Sequence, residues 1–599
     1  MFILGMLVSL TAFSQNTIFE KMLNRSLEEK IKVDLNNPKK GWKQSNSDKQ
    51  LNAVKSTNIV ISDDNTAESE VHAAINPIDS NQLVVSPIGQ SGMAGLSCPV
   101  YYSNDFGTNW NKSTFTNMPS IPGNMSVGGG DPVLVYDDND RVYFSWIDLS
   151  IKNMNLDNAY WGMYWAYSDD NGQTWNYDTT QLIEESNGSL NNMAAFNGPL
   201  TDKQWMAADI NPSSPYYNDI YISYVEIDIQ SQKYTVTVAR KPSDSAHFDS
   251  TKAYLTDTSF SLVQFGSISV GQNGRVHVSF FGTRDGFNYG IYHCYSDDGA
   301  KNFSTPVKVS DIQIPQFSLN QQNVSVEGIS DDRLYPSVYN ATSPNSNHVY
   351  ITWTANGLIQ KDTDGLDIYF TRSTDGGSTF EAPVIINDDT NQTIHQYYSA
   401  INVAPDGRLD ISWYDRRTDD SLNINTHYYV TSSYDNGQTF NQNTRITGMA
   451  TDFSTVGNLN NEFGVGEYNA VLSTKEYIIP VWADGRKNSG DLDIYAAFVN
   501  KNSLSVERLT SMDKDFTIID MFPNPASNLI TCKFNAKVSQ KMNVTLLDIS
   551  GKKLIEKENL QMTAGDNEMS LNISHLPAGL YFLKCSNENG LETRKLIIR

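Results

Sequence analysis

One octapeptide pattern, S-x-D-x-G-x-T-[WF], constrains this chain more than any other feature. It occurs in full at Ser168, Asp170, Gly172, Thr174 and Trp175, again at Ser373, Asp375, Gly377, Thr379 and Phe380, and again at Ser433, Asp435, Gly437, Thr439 and Phe440. Ser103, Asp105, Gly107, Asn109 and Trp110 form a near match, and Ser296, Asp298, Ala300, Asn302 and Phe303 a degraded one. The residue types explain the spacing: the carboxylate and hydroxyls bond backbone groups of a tight turn, the glycine supplies a permissive backbone, and the aromatic packs into a sheet. The pattern is a folding device with no chemistry of its own. Its recurrence says that the chain stacks similar units, none of which buries its hydrophobic face alone.

These residues resemble the Asp boxes of sialidases and related β-propeller proteins, where the box forms the turn between the third and fourth strands of a blade. The resemblance covers about residues 57 to 500, a stretch of short β-branched and aromatic runs punctuated by Asn, Asp, Gly and Pro, with no convincing amphipathic helix. The fold class is therefore all-β. Second-strand signals begin at Leu83, Val142, Ile220, Val276, Val349, Leu409 and Tyr477, which favours seven blades. Six remains the alternative, obtained by dropping the third unit, whose box has decayed around Ser243 to Ser245. The last unit lacks a fourth strand, and the run from Asn58 to Ser62 is placed to supply it and close the ring.

The two ends differ from this middle. Residues 1–15 form an apolar run ending in small residues at Ala12 and Ser14, which reads as a signal peptide. Residues 16–56, rich in Lys, Asn, Ser and Glu, read as a leader arm. The propeller is expected over 57–505 and a linker over 506–518. Over 519–599 the Phe522-Pro523-Asn524-Pro525 start, the Asp548 to Gly551 turn and the Pro577-Ala578-Gly579 strand entry resemble the type A sorting domain of type IX secretion. That resemblance implies a small C-terminal β-sandwich, a partner in the type IX machinery, and a secreted or outer-surface location. No later segment is long and apolar enough to predict a membrane-spanning helix.

Charge and composition exclude other classes. Lys plus Arg number 44 against 68 Asp plus Glu, for a net charge of −24, and no basic stretch is present to neutralise phosphates. Nucleic acid is not an expected partner. Of the four cysteines, Cys98, Cys294, Cys532 and Cys585, none has zinc-site spacing; Cys532 and Cys585 either pair or remain two buried thiols. No cofactor is indicated, although the acidic loop Asp137 to Asp140 is a possible Ca²⁺ site.

In a propeller the starts of first strands and the ends of second strands share one face, opposite the Asp boxes. Second-strand ends carry Asp148, Glu226, Arg284, Asp285, Asp415, Arg416, Arg417, Asp484 and Arg486. First-strand starts add His72, Asp131, Asp202, Lys203, Arg333, Tyr335, Tyr397, Tyr398, Glu467 and Tyr468. Arg284, Arg333, Arg416, Arg417 and Arg486, with Glu226 and Asp484, are the candidate substrate-binding set, because guanidinium forks suit carboxylate or sulfate ligands. Tyr468, Glu467 and Asp415 are the candidate catalytic groups. The sialidase resemblance implies three arginines clamping a carboxylate, a tyrosine nucleophile served by a glutamate, and an aspartate acid/base. It also implies a first clamp arginine before the first Asp box, yet no arginine lies between Arg25 and Arg141. The expectation is a secreted protein that binds or processes extracellular acidic glycan. A sialidase-like glycoside hydrolase, an acidic-polysaccharide lyase and a non-catalytic surface adhesin are the readings left open.

Overall fold

The computed structural model describes residues 58–62, 66–90, 96–115, 123–177, 181–314, 326, 328–329, 334–360, 362–419, 423–456, 465–486, 491–504, 516–548, 552–587 and 590–599. The signal peptide, the leader arm, Arg333, residues 506–515 of the linker and residues 549–551 of the Asp548 turn lie outside the described residues. Two compact units divide between residues 504 and 505.

Among the described residues the first unit has seven antiparallel sheets, each with a four-stranded blade, three of them with a short fifth strand added. Blade 1 is Glu68–Ile75, Leu83–Gln90, Tyr101–Ser103 and Asn111–Lys112; blade 2 is Asn124–Tyr136, Val142–Lys152, Asn155–Ser168 and Leu182–Gly188. Blade 3 is Leu200–Ala208, Ile220–Asp228, Lys233–Lys241 and Ala253–Tyr254; blade 4 is Leu262–Val270, Val276–Thr283, Tyr289–Ser296 and Val307–Asp311. Blade 5 is Tyr339–Thr342, Val349–Ala355, Asp367–Ser373 and Val384–Ile385; blade 6 is Gln396–Val403, Leu409–Asp415, Asn425–Ser433 and Thr444–Arg445. Blade 7 takes Ala470–Ser473, Tyr477–Asp484 and Asp493–Ala497 from the end of the unit and Asn58–Val60 from its beginning. Asn58 lies opposite Ala497 and Val60 opposite Tyr495, so one short strand closes the ring. The first strands contact one another in succession around the axis, and that of blade 7 returns to that of blade 1. The structure thus has seven blades, the third complete despite its lost box, where Asp219 accepts hydrogen bonds from Arg240 Nε at 2.6 Å and Ser243 N at 2.8 Å.

The Asp boxes do what their residue types predict. In blade 2, Ser168 Oγ donates to Asp170 Oδ1 and accepts from Gly172 N, while Thr174 gives its amide to Asp170 Oδ1 and its hydroxyl to Asp170 Oδ2. Asp375 and Asp435 repeat that set, and Asp105 and Asp298 keep it with Asn109 and Asn302 in place of the threonine. The glycine is required at Gly437, where φ is 76° and a Cβ would fall 2.6 Å from Phe370 Cζ. A second repeat accompanies the boxes in blades 2 and 4: Arg141 and Arg275, each just before a second strand, pair with Asp169 and Asp297 and lie over Tyr167 and Tyr295.

A device absent from the sequence pattern shapes the axis. First strands carry a bulge between Ser69 and His72, Gly130 and Val133, Asp202 and Trp205, Gln264 and Ser267, and Tyr397 and Ala400. In each, a residue other than glycine holds a positive φ: Glu70 at 49°, Asp131 at 53°, Lys203 at 49°, Phe265 at 58° and Tyr398 at 53°. Ser337, at 48°, takes the matching place in blade 5. A bulge re-aims one side chain without breaking the strand.

The second unit pairs a three-stranded sheet, Phe516–Phe522, Leu529–Ala536 and Gly565–Asn572, with a four-stranded one, Lys553–Met562, Gln540–Asp548, Gly579–Asn587 and Gly590–Ile598. Phe534, Leu546, Leu583 and Leu596 share its core with Cys532 and Cys585, which are buried free thiols. Among the described residues, no helix is long and apolar enough to cross a membrane.

Candidate functional site

The bulges of blades 1, 2 and 3 bring Glu70, Asp131 and Lys203 to the axis, where they meet Glu467 of blade 7. Lys203 Nζ of blade 3 lies 2.7 Å from Glu467 Oε2, 3.4 Å from Glu70 Oε1 and 3.9 Å from Asp131 Oδ1. Tyr468 donates its hydroxyl to Asp131 Oδ1 at 3.0 Å, and its ring lies 5.3 Å from Lys203 Nζ. Glu467 and Tyr468, nominated for chemistry, are therefore in a closed environment: the adjoining cavity is about 10 Å³, room for one water. Burial and the neighbouring carboxylates push the Tyr468 phenol well above its usual range, opposite to what a nucleophile requires. His72 is equally enclosed: its Nδ1 accepts from Leu134 N at 3.1 Å, its ring meets Trp205 edge-on, and burial holds it down to about 3. Asp202 accepts from Gln264 Nε2, and Tyr335 packs on Phe265.

Two second-strand ends share one construction, W-x-D-x-R. In blade 6, Asp415 accepts from Trp413 Nε1 at 2.8 Å, Arg417 N at 2.9 Å and Arg417 Nη2 at 2.7 Å. In blade 7, Asp484 accepts from Trp482 Nε1 at 2.8 Å, Arg486 N at 2.9 Å and the Arg486 guanidinium, which also donates to Asn58 of the closing strand. Arg416 is fully buried and donates to Thr426 Oγ1, Asn423 O and the Tyr397 hydroxyl. Arg416, Arg417 and Arg486 each have acceptors of their own, and Arg417 also donates to Asp388 in the segment between blades 5 and 6. A guanidinium next to a carboxylate two residues earlier satisfies it before any ligand arrives.

Arg284 and Glu226 are different. The Arg284 side chain is 37% exposed, stacks 3.9 Å over Phe260, bonds Ser259 and lies 3.6 Å from Asp257. Beyond it, Phe287 is 62% exposed at a turn capped by Asp285, whose carboxylate accepts from Phe287 N and Asn288 N. The segment 254–259 runs from Arg284's partners back to Tyr254, 63% exposed, at the edge of blade 3. There Lys252 Nζ lies 3.6 Å from Glu226 Oε1 and also pairs with Glu184 of blade 2. Burial pushes Glu226 up to about 7 and Lys252 below its usual range. Asp148, one blade earlier, is 1% exposed and pushed up to about 7 by burial; Ser126 Oγ donates to its Oδ1, and its Oδ2 has no hydrogen-bond partner among the described residues.

Sequence reasoning missed Glu70, Glu184, Lys252 and Tyr254. Aligning the blades on Asp131 and Lys203 would have exposed Glu70, whereas the other three come from outer strands and loops whose register the repeat does not fix. No group of three or more His, Cys, Asp or Glu able to hold a metal ion occurs among the described residues. In the Asp137 loop, Asp137 Oδ1 caps Asn139 N and Arg141 N, and Asp140 accepts from Asn76.

Residues 520–599 match the family described as the secretion system C-terminal sorting domain. The C-terminal unit is a type IX sorting domain, and it marks the protein for export to the cell surface or beyond. No curated protein matches the chain. Among solved structures, the chain is similar to a Hadza microbial sialidase, with 9% identity over 70% of this chain and 76% of that one at a TM-score of 0.37. It is similar to the Penicillium chrysogenum α-L-arabinanase, with 11% identity over 74% and 98% at 0.39, and to a Dyadobacter fermentans protein of unknown function, with 14% over 61% and 95% at 0.37.

Proposed function

We propose that this secreted propeller is glycan-directed and that its ligand lies along a strip from Glu226 and Lys252, past Tyr254, to Arg284 and Phe287. The observation that carries the reading is the coincidence, on blades 3 and 4, of two exposed aromatic rings, Tyr254 and Phe287, with the exposed Arg284–Asp257 pair. Sugar rings present an apolar face and a hydroxyl edge, which such a strip meets with aromatic surface and paired donors and acceptors. The strip does not depend on an acidic sugar, because Arg284 and Lys252 stand beside Asp257, Glu184 and Glu226. The Asp-box resemblance supports a glycan, and the absence of an arginine between Arg25 and Arg141 weighs against sialic acid hydrolysis.

A hydrolytic role is a second reading, favoured by Glu226 and Glu184 flanking one lysine, with burial raising Glu226 to about 7. The test is a panel of neutral polysaccharides, uronate polysaccharides and fluorogenic sialosides, scored for retention and for new reducing ends. Retention lost in Tyr254→Ala and Arg284→Ala supports the strip. Turnover lost in Glu226→Gln with retention kept identifies hydrolysis. Retention unaffected by either of the first two variants refutes the assignment.

A further inference from the structure

The seven blades act as internal controls for one another, and blade 4 departs from the others at two buried positions. The second residue of each second strand is Val84, Tyr143, Tyr221, His277, Tyr350, Asp410 and Ile478 in blade order. Tyr143, Tyr221 and Tyr350 fill this place with buried phenol rings, while blade 4 has the smaller His277, 2% exposed. Opposite the fourth residue of the same strand, blades 2, 3, 5 and 6 place Trp165, Val238, Phe370 and Val430; blade 4 places His293. Two imidazoles thus stand where other blades use tyrosine, valine, isoleucine or aspartate at the first place and an apolar side chain at the second, so the fold requires an imidazole at neither.

They are wired together. Asn340 Nδ2 donates to Ser279 Oγ at 3.0 Å and also to Ser267 O, which fixes the orientation of its amide. Ser279 Oγ lies 2.9 Å from His293 Nδ1, and His293 Nε2 lies 3.2 Å from His277 Nδ1. The order that gives the Ser279 hydroxyl hydrogen an acceptor runs Asn340 to Ser279 to His293 to His277. It leaves the Nε2–H of His277 as a donor with no partner in its own network. Burial keeps both rings neutral, His293 near 3 and His277 well below its usual value.

His277 lines a cleft of about 120 Å³ between blades 4 and 5, on the face that carries the Asp boxes, with its Nε2 beside Gly271 of the same lining. Arg275, Asp297, Ser346, Asn347 and His348 line the cleft with His277. Arg275 and Asp297 neutralise each other, so the lining offers hydroxyl, amide and imidazole groups without net charge. Gly271 borders the cleft, and a Cβ there would lie 3.1 Å from His277 Nε2, so a glycine keeps the donor open. At about 120 Å³, less than the about 150 Å³ of an engineered cavity that takes up benzene, the cleft receives one edge of a sugar ring and leaves the rest in solvent.

We propose that this cleft binds one edge of a single neutral sugar residue, a sugar oxygen accepting from His277 Nε2–H and its hydroxyls bonding the surrounding amides. The site is independent of the strip on the opposite face. A protonated Nε2 offers no lone pair, which selects an oxygen ligand over a metal ion. The test titrates the full mature chain with D-glucose, D-galactose, D-mannose and L-fucose, followed by calorimetry and by the ring resonances of His277. At least one sugar is expected to bind with a Kd on the order of 1 mM. Affinity is expected to fall at least ~10-fold in His277→Tyr, which restores the residue of blades 2, 3 and 5, and in Gly271→Ala. Gly271, with φ at −94°, accepts alanine without backbone strain, so that variant carries the test if His277→Tyr does not fold. No binding by any of the four sugars, binding that survives both variants, or a response to Zn²⁺ alone overturns the proposal.

Discussion

Lys203 Nζ of blade 3 lies 2.7 Å from Glu467 Oε2 of blade 7, a contact across the propeller axis between residues 264 apart in sequence. Glu70 of blade 1 and Asp131 of blade 2 complete its surroundings, so one ammonium links the blades on both sides of the seam where the chain closes on itself.

Removing that ammonium leaves buried carboxylates without their cation. Lys203→Met is expected to lower unfolding stability by about 3–5 kcal/mol, the cost of breaking a buried ion pair from one side. Urea denaturation followed by tryptophan fluorescence measures it, and a loss indistinguishable from zero removes Lys203 from the role of axial tie.

Asp148 gives a pH signature with a definite sign. Its folded-state value, about 7, exceeds the ordinary carboxylate value of 3.8, so the folded chain binds the proton more tightly and stability falls as pH rises from about 4 through 7. Asp148→Asn removes the charge and keeps an acceptor for Ser126 Oγ. The variant is expected to exceed the parent by about 3 kcal/mol at pH 8 and to match it at pH 4. Thermal melts across that range decide it, and equal stability at pH 8 contradicts the assignment.

Arg486→Ala is expected to cost about 3 kcal/mol by leaving the buried Asp484 short of its guanidinium and by freeing Asn58 of the closing strand. Glycan retention is expected to be unchanged once folded protein is compared. Arg417→Ala follows the same pattern through Asp415. A loss of retention with unchanged stability in either variant would return these arginines to the binding site.

The blade count was legible because the Asp boxes and second strands recur in register, and blade 7 borrows Asn58–Val60 as the missing fourth strand demanded. The site was less legible, and the reason is physical. Arginine scarcity made Arg416, Arg417 and Arg486 conspicuous, but the i to i+2 spacing of Asp415 with Arg417 and Asp484 with Arg486 already described a self-contained pair under a tryptophan N–H. Residue type reports what a side chain does for an open ligand only where its own neighbours leave it unsatisfied. The axial cluster was half visible: Asp131, Lys203, Glu467 and Tyr468 were all marked by their position, while the bulges that turn Lys203 and Glu70 inward leave no trace in composition, since non-glycine residues occupy the positive-φ places. Lys252 and Tyr254 stood in an outer loop where no repeat guided the reading.

The central claim is that ligand recognition uses the strip from Glu226 to Phe287. Hydrogen–deuterium exchange of the full chain, with and without the polysaccharide it retains most strongly, tests this directly. Protection is expected over residues 224–228, 252–260 and 283–289, with 413–417 and 482–486 unchanged. Protection confined to 413–417 and 482–486, or no polysaccharide retained at all, contradicts the claim.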